Sequence, residues 1–124
     1  MSFDLEPDEA RLLLNVALMA IGRNRFKSAA AILAALERFR PDHPSVAVAQ
    51  AVALMSAGDF GSAVAFIDGR ALRRFPDSAM LKAFKGLALI RLGRAPEAAA
   101  ALAEAACATD DPAAAKLAKD LLES

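Results

Sequence analysis

The chain has no Trp and no Tyr, one Cys, one His and few β-branched residues among its 124. A single cysteine, Cys107, excludes a disulfide framework within the chain. One His with one Cys cannot supply a zinc site of the usual ligand number. His43 sits between Asp42 and Pro44 in a loop, where it caps a helix or is solvated, and Cys107 reads as a small core residue. Net charge is absent too: 15 basic residues balance 15 acidic ones. Nothing therefore draws the chain as a whole toward nucleic acid or an anionic membrane. No apolar run reaches the ~18 residues that span a bilayer. The acidic start (Asp4, Glu6, Asp8, Glu9) lacks a basic region followed by an apolar stretch, so no secretory signal is expected and a cytoplasmic protein is the default. With no strand pattern there is no place for a phosphate loop between strand and helix. No cofactor, no metal and no enzymatic constellation is expected.

What is present is alanine, 32 times, in a chain that is 56% apolar. Alanine is the best helix former, and an all-α fold follows. One stretch sets the organisation: Gly58-Asp59-Phe60-Gly61-Ser62-Ala63, a helix stop, a tight turn and the apolar start of a second helix. The same grammar occurs as Asn24-Arg25-Phe26-Lys27-Ser28-Ala29 and as Gly93-Arg94-Ala95-Pro96-Glu97-Ala98. Ala29, Ala63 and Ala98 are 34 and 35 residues apart.

Apolar spacing and breakers then lay out the helices. Residues 1–6 are expected to fray. Helices are predicted at about Pro7–Gly22, Arg25–Phe39, Pro44–Gly58, Phe60–Arg74, Ser78–Leu92 and Ala95–Thr109, with a last one from Pro112. Pro7 and Pro44 suit first-turn positions. Asp77 and Asp111 read as N-caps. From Ala29 to Pro41 is 12 positions, but from Ala63 to Pro76 is 13. That extra residue, together with Gly69 inside the fourth helix, predicts a bend there.

A helix-turn-helix period of 34 resembles the tetratricopeptide repeat family. The resemblance covers about residues 10–111 and implies a right-handed α-solenoid forming one domain. Its units are about 10–43, 44–78 and 79–111, closed by a capping helix at about 112–123. Small residues stand where the family's paired helices cross: Ala17 with Ala29, Ala51 with Ala63, and Gly86 with Ala98. Phe26 and Phe60 supply the aromatic after the turn, whereas unit three has Ala95. The large aromatic usual early in the first helix is absent throughout.

The family's first helices line a concave surface, and the register maps onto it Leu14, Leu18, Ile21, Val48, Val52, Met55, Ala83, Leu87 and Ile90. That row is apolar throughout. It lacks the repeated lysines and asparagines with which some family members grip acidic C-terminal peptides. Such a row suits an amphipathic helix anchored at i, i+3, i+4 and i+7. The occupant is either an external client or the chain itself, through its last helix or a second copy as a homodimer. A small three-unit array with a closing helix is similar to the cytoplasmic chaperones that keep the needle subunit of bacterial type III secretion systems soluble. That likeness implies a helical client and a small helical co-chaperone. The other reading is a structural adaptor or homo-oligomer that uses its apolar face for self-assembly. Basic turns at Arg23, Arg25 and Lys27, at Arg70, Arg73 and Arg74, and at Arg91 and Arg94 read as solvated edges, because no stacking aromatic is expected beside them.

Overall fold

The computed structural model describes residues 7–123, so the fraying expected over residues 1–6 lies outside the described residues. Within them the chain is helical with no strand. Helices α1 (Pro7–Gly22), α2 (Phe26–Phe39) and α3 (Pro44–Ser56) come first. Helix α4 begins as α-helix over Phe60–Phe66, passes through a π-helical turn at Ile67–Ala71 and ends as α-helix over Leu72–Arg74. Helices α5 (Ala79–Arg91), α6 (Ala95–Ala106) and α7 (Pro112–Glu123) complete it. In chain order this is three helix-turn-helix units and a closing helix, the plan of an α-solenoid.

The three turns are built alike. Asn24, Gly58 and Gly93 have φ of 61°, 82° and 75°. This left-handed conformation suits Gly, and Asn next, because a Cβ otherwise crowds the backbone. Each of the three N–H groups donates to the carbonyl three residues back, at 3.0, 2.9 and 3.0 Å. Arg25 and Arg94 then donate to the carbonyls of Ala20 and Leu89, five residues back, at 2.8 and 2.9 Å. These are Schellman-type closures.

The extra residue of the second repeat is absorbed by the π turn around Gly69. A π turn widens the helix by one residue and lets α4 reach the next turn in register. Its Asp68 pairs with Lys85 of α5 at 2.8 Å. Capping differs from expectation in one place: Ser78, not Asp77, caps α5, its Oγ accepting from the N–H of Leu81 at 3.3 Å. Asp59 and Asp111 cap α4 and α7 through bonds from the N–H groups of Ser62 and Ala114.

The chain divides into two compact units after Gly58. In the first, α1, α2 and α3 pack on one another around Ala17, Ile21, Ala29, Leu33, Leu36, Val46, Ala49 and Ala53. In the second, α5 packs on α4, α6 and α7, and α7 also packs on α6. Ala83, Leu102, Ala105 and Ala118 meet there. The six repeat positions, Ala17, Ala29, Ala51, Ala63, Gly86 and Ala98, are all buried. Alanine dominates the buried set, while Leu33, Leu36, Ile67, Leu81, Leu89 and Leu102 are the largest side chains fully covered. Small residues let helix axes approach closely, and no charged or polar side chain is buried among the described residues.

Candidate functional site

The candidate site is the set of apolar positions on the first helix of each repeat. On α1, Leu18 is 42% exposed and Leu14 is half-buried against the first unit's core. Ile21, assigned to the row, is a core residue at 7% exposure. It sits one turn beyond Ala17, and the core takes both. On α3, Val48, Val52 and Met55 are half-buried, with Val52 packed against the same core. Helices α1 and α3 touch, so the first unit carries five of these positions on two neighbouring helices.

In the second unit the row is shorter than expected. Ala83 is fully covered, packed with Leu102 and Ala105 of α6 and Ala118 of α7. The closing helix therefore occupies that end of α5, and Ala83 cannot meet a partner. Leu87 is half-buried and Ile90 is 39% exposed.

The register missed a second apolar row. Leu12, Val16 and Met19 on α1 are 64%, 42% and 59% exposed. They recur at i, i+4 and i+7, so they stand one above another on a single face. Each is followed in the chain by a residue of the core or packed against it, Leu13, Ala17 and Ala20, and that hid the row in the sequence.

A cleft of about 230 Å³ lies in the first unit, at the start of α1 and α3 and the end of α2. Ala10, Leu14, Leu36 and Val46 give it apolar walls, and Arg11, Arg40, His43 and Ser45 complete its lining. Nη1 of Arg40 lies 3.4 Å from Nε2 of His43. His43 is the residue before α3 but makes no side-chain cap. Its expected alternatives, capping or solvation, resolve to an exposed ring beside Arg40.

Two expectations about chemistry change. Cys107 is exposed, not a core residue, because it falls at the end of α6 where the buried face has run out. The basic turns of the second unit do have aromatics beside them: Arg70 lies over the ring of Phe66 at 5.5 Å, and Arg91 over Phe60 at 5.8 Å. These are cation–π contacts inside the chain, so the arginines already cover those faces. Arg94 and Glu97 form a two-pronged pair, Nε to Oε1 at 2.9 Å. The hydrogen bond from Arg94 holds the Glu97 carboxyl below its ordinary value, and Glu97 in turn raises Arg94. Among the described residues no three His, Cys, Asp or Glu stand together as metal ligands, and no helix is long and apolar enough to cross a membrane.

A family model described as a tetratricopeptide repeat matches residues 14–69 and again 48–115. No curated protein is similar enough to the chain to be matched.

Proposed function

Since the chain belongs to the tetratricopeptide repeat family, we propose that it is a protein-binding module that holds an amphipathic helix of a client on the apolar faces of its first-position helices. The observation that carries this is the incomplete burial of large aliphatic side chains. Leu14, Leu18, Val48, Val52 and Met55 in the first unit, and Leu87 and Ile90 in the second, keep area that the fold itself does not cover. Completing the burial of one such side chain yields some fraction of the ~1.5–3 kcal/mol that full burial is worth. Several together hold a helix read at i, i+3, i+4 and i+7. In its most specific form the client is a helical subunit of a type III secretion needle, kept soluble in the cytoplasm with a small helical co-chaperone. Support for that form is the apolar, lysine-free row on the first-position helices, with a further helix, α7, packed on α5 and α6.

The test is substitution at the exposed positions. Leu18→Asp and Ile90→Asp should leave the helical circular dichroism signal intact and remove partner binding. Retained binding with both aspartates in place sinks this assignment.

A second reading has its own observation. The Leu12, Val16 and Met19 face of α1 is apolar and open, and a second copy of the chain could cover it. Sedimentation over a range of concentrations would then show a dimer that Val16→Glu reduces to monomer.

A further inference from the structure

We propose that the Leu12, Val16 and Met19 face of α1 is the stacking face of the first repeat, and that the same face of a second copy covers it. The two α1 helices run antiparallel, with Asp8 of each copy beside Arg23 of the other. This rests on the self-association reading above and gives it a geometry and a charge pattern.

The repeat shows what this face is built for. One period of 34 residues after Leu12, Val16 and Met19 stand Val46, Gln50 and Ala53 on α3. The next period is 35 because of the extra residue of the second repeat, and brings Leu81, Lys85 and Ala88 on α5. On α7 the counterparts are Ala114, Ala118 and Leu121, 68 residues after those of α3, just as Pro112 follows Pro44. Each of these three helices packs on the second helix of the repeat before it. The outer positions Val46, Ala53, Leu81, Ala88 and Ala114 are buried. At the middle position Gln50 bonds to Glu37 of α2 at 2.9 Å, Lys85 pairs with Asp68 of α4 at 2.8 Å, and Ala118 packs with Ala105 of α6. Among the described residues α1 alone carries this face open, and it is aliphatic. A solenoid end that faces water is normally polar.

The charges along the face select a second copy as its occupant. Asp8, Leu12, Val16, Met19 and Arg23 follow one another at steps of four, four, three and four, a single stripe down the helix. Arg23 lies just past the end of α1, and its N–H donates to the carbonyl of Met19 at 3.1 Å, so it continues the stripe. The stripe starts acidic, ends basic and is centred on Val16. A two-fold axis at Val16 sets Leu12 against Met19 and Asp8 against Arg23 of the other copy. Laid parallel, the same stripes would set Asp8 against Asp8 and Arg23 against Arg23. Helix α7 offers no match for a head-to-tail contact. Its exposed face carries Lys116, Lys119, Asp120 and Glu123, with Leu122 the one large apolar residue there. Lys119 stands 68 residues after Ala51, at the position where the earlier repeats keep a small residue for a close helix crossing. An acid at the start and a base at the end also suit the dipole of α1 itself, so the charge pairing is tested apart from the apolar contact.

The test is sedimentation of the full chain over a range of concentrations, at low and at high salt. The expected result is a dimer that weakens as salt rises, since opposite charges meet at both ends of the pair. Arg23→Glu should weaken it roughly tenfold at low salt, because two-fold symmetry counts each lost pair twice. Asp8→Lys/Arg23→Glu should recover the natural affinity, which a purely local role of Arg23 in its turn would not allow. A dimer that tightens with salt or ignores it, or one indifferent to Arg23→Glu, overturns the antiparallel arrangement and leaves the self-association reading standing. A chain that stays monomeric, or a dimer that survives Val16→Glu, overturns both, and the face then belongs to another occupant. The salt series needs no change to the protein, so it decides even if a variant fails to fold.

Discussion

Two glycines of the second unit should answer the same substitution with opposite signs. A Cβ on Gly86 would stand 2.5 Å from Cγ and Cδ2 of Leu102, itself fully buried. Leu102 cannot swing into solvent, so Gly86→Ala should destabilise the chain by ~1–3 kcal/mol, as overpacking does. Gly69, in the π turn, meets nothing within 4 Å. Gly69→Ala should stabilise by ~0.4–1 kcal/mol by restricting the unfolded chain. Urea unfolding of the two variants beside the natural chain checks both. At Glu97 the sign follows from its partner. The bond from Arg94 lowers its folded pKa below the unfolded value. Its contribution is thus present above the unfolded carboxylate range and lost as pH falls through the folded pKa. Both side chains are exposed, which keeps the contribution small. Carboxyl NMR should show Glu97 titrating below an ordinary glutamate, and Arg94→Ala should return it to normal. At this scale the left-handed turns were legible, because Asn and Gly mark them at a fixed period. The exposure of Cys107 was not, since it depends on where the packed face of α6 ends.

Helix α4 shows what a count can reveal. Thirteen positions where the first repeat has twelve predicted a bend near Gly69, and what stands there is a π turn over Ile67–Ala71. The type of irregularity depends on the backbone closing one wider turn between well-packed ends, Val64 before it and Ala71 at its close. The closing helix α7 was also legible, from Asp111-Pro112 and the leucines beyond. Its depth of contact was not: Ala118 meets Ala83, a position the register gave to the binding row. Alanines alternate too densely here for periodicity to say which face is covered. The cap on α7 is a single bond, from the N–H of Ala114 to Oδ1 of Asp111 at 3.1 Å. Asp111→Ala should cost about 1 kcal/mol, read as a lowered thermal midpoint, while Asp77→Ala, one residue before the true cap, should cost less.

Over the whole molecule, hydrophobic patterning carried the helix order and the repeat period, and the balanced charge gave no general pull toward polyanions. The candidate row was only partly legible. Ile21 and Ala83 belong to cores, and the open Leu12, Val16 and Met19 face lay outside the register considered. The two apolar surfaces make different demands. If the first-position rows hold a client, Leu18→Asp matters to binding and Val16→Glu does not. If the outer face of α1 joins two copies, the order reverses. Val52 is a poor probe for either, because it packs against the core of the first unit, and an aspartate there would weaken the fold as well as any contact. The most direct measurement is affinity capture from the native host, the natural chain beside the Leu18→Asp/Ile90→Asp variant, with mass spectrometry of what co-purifies. The account predicts one small helical partner in stoichiometric amount on the natural chain and its loss from the variant, with helicity unchanged. Equal recovery of that partner on both chains, or recovery of the chain alone, would contradict it.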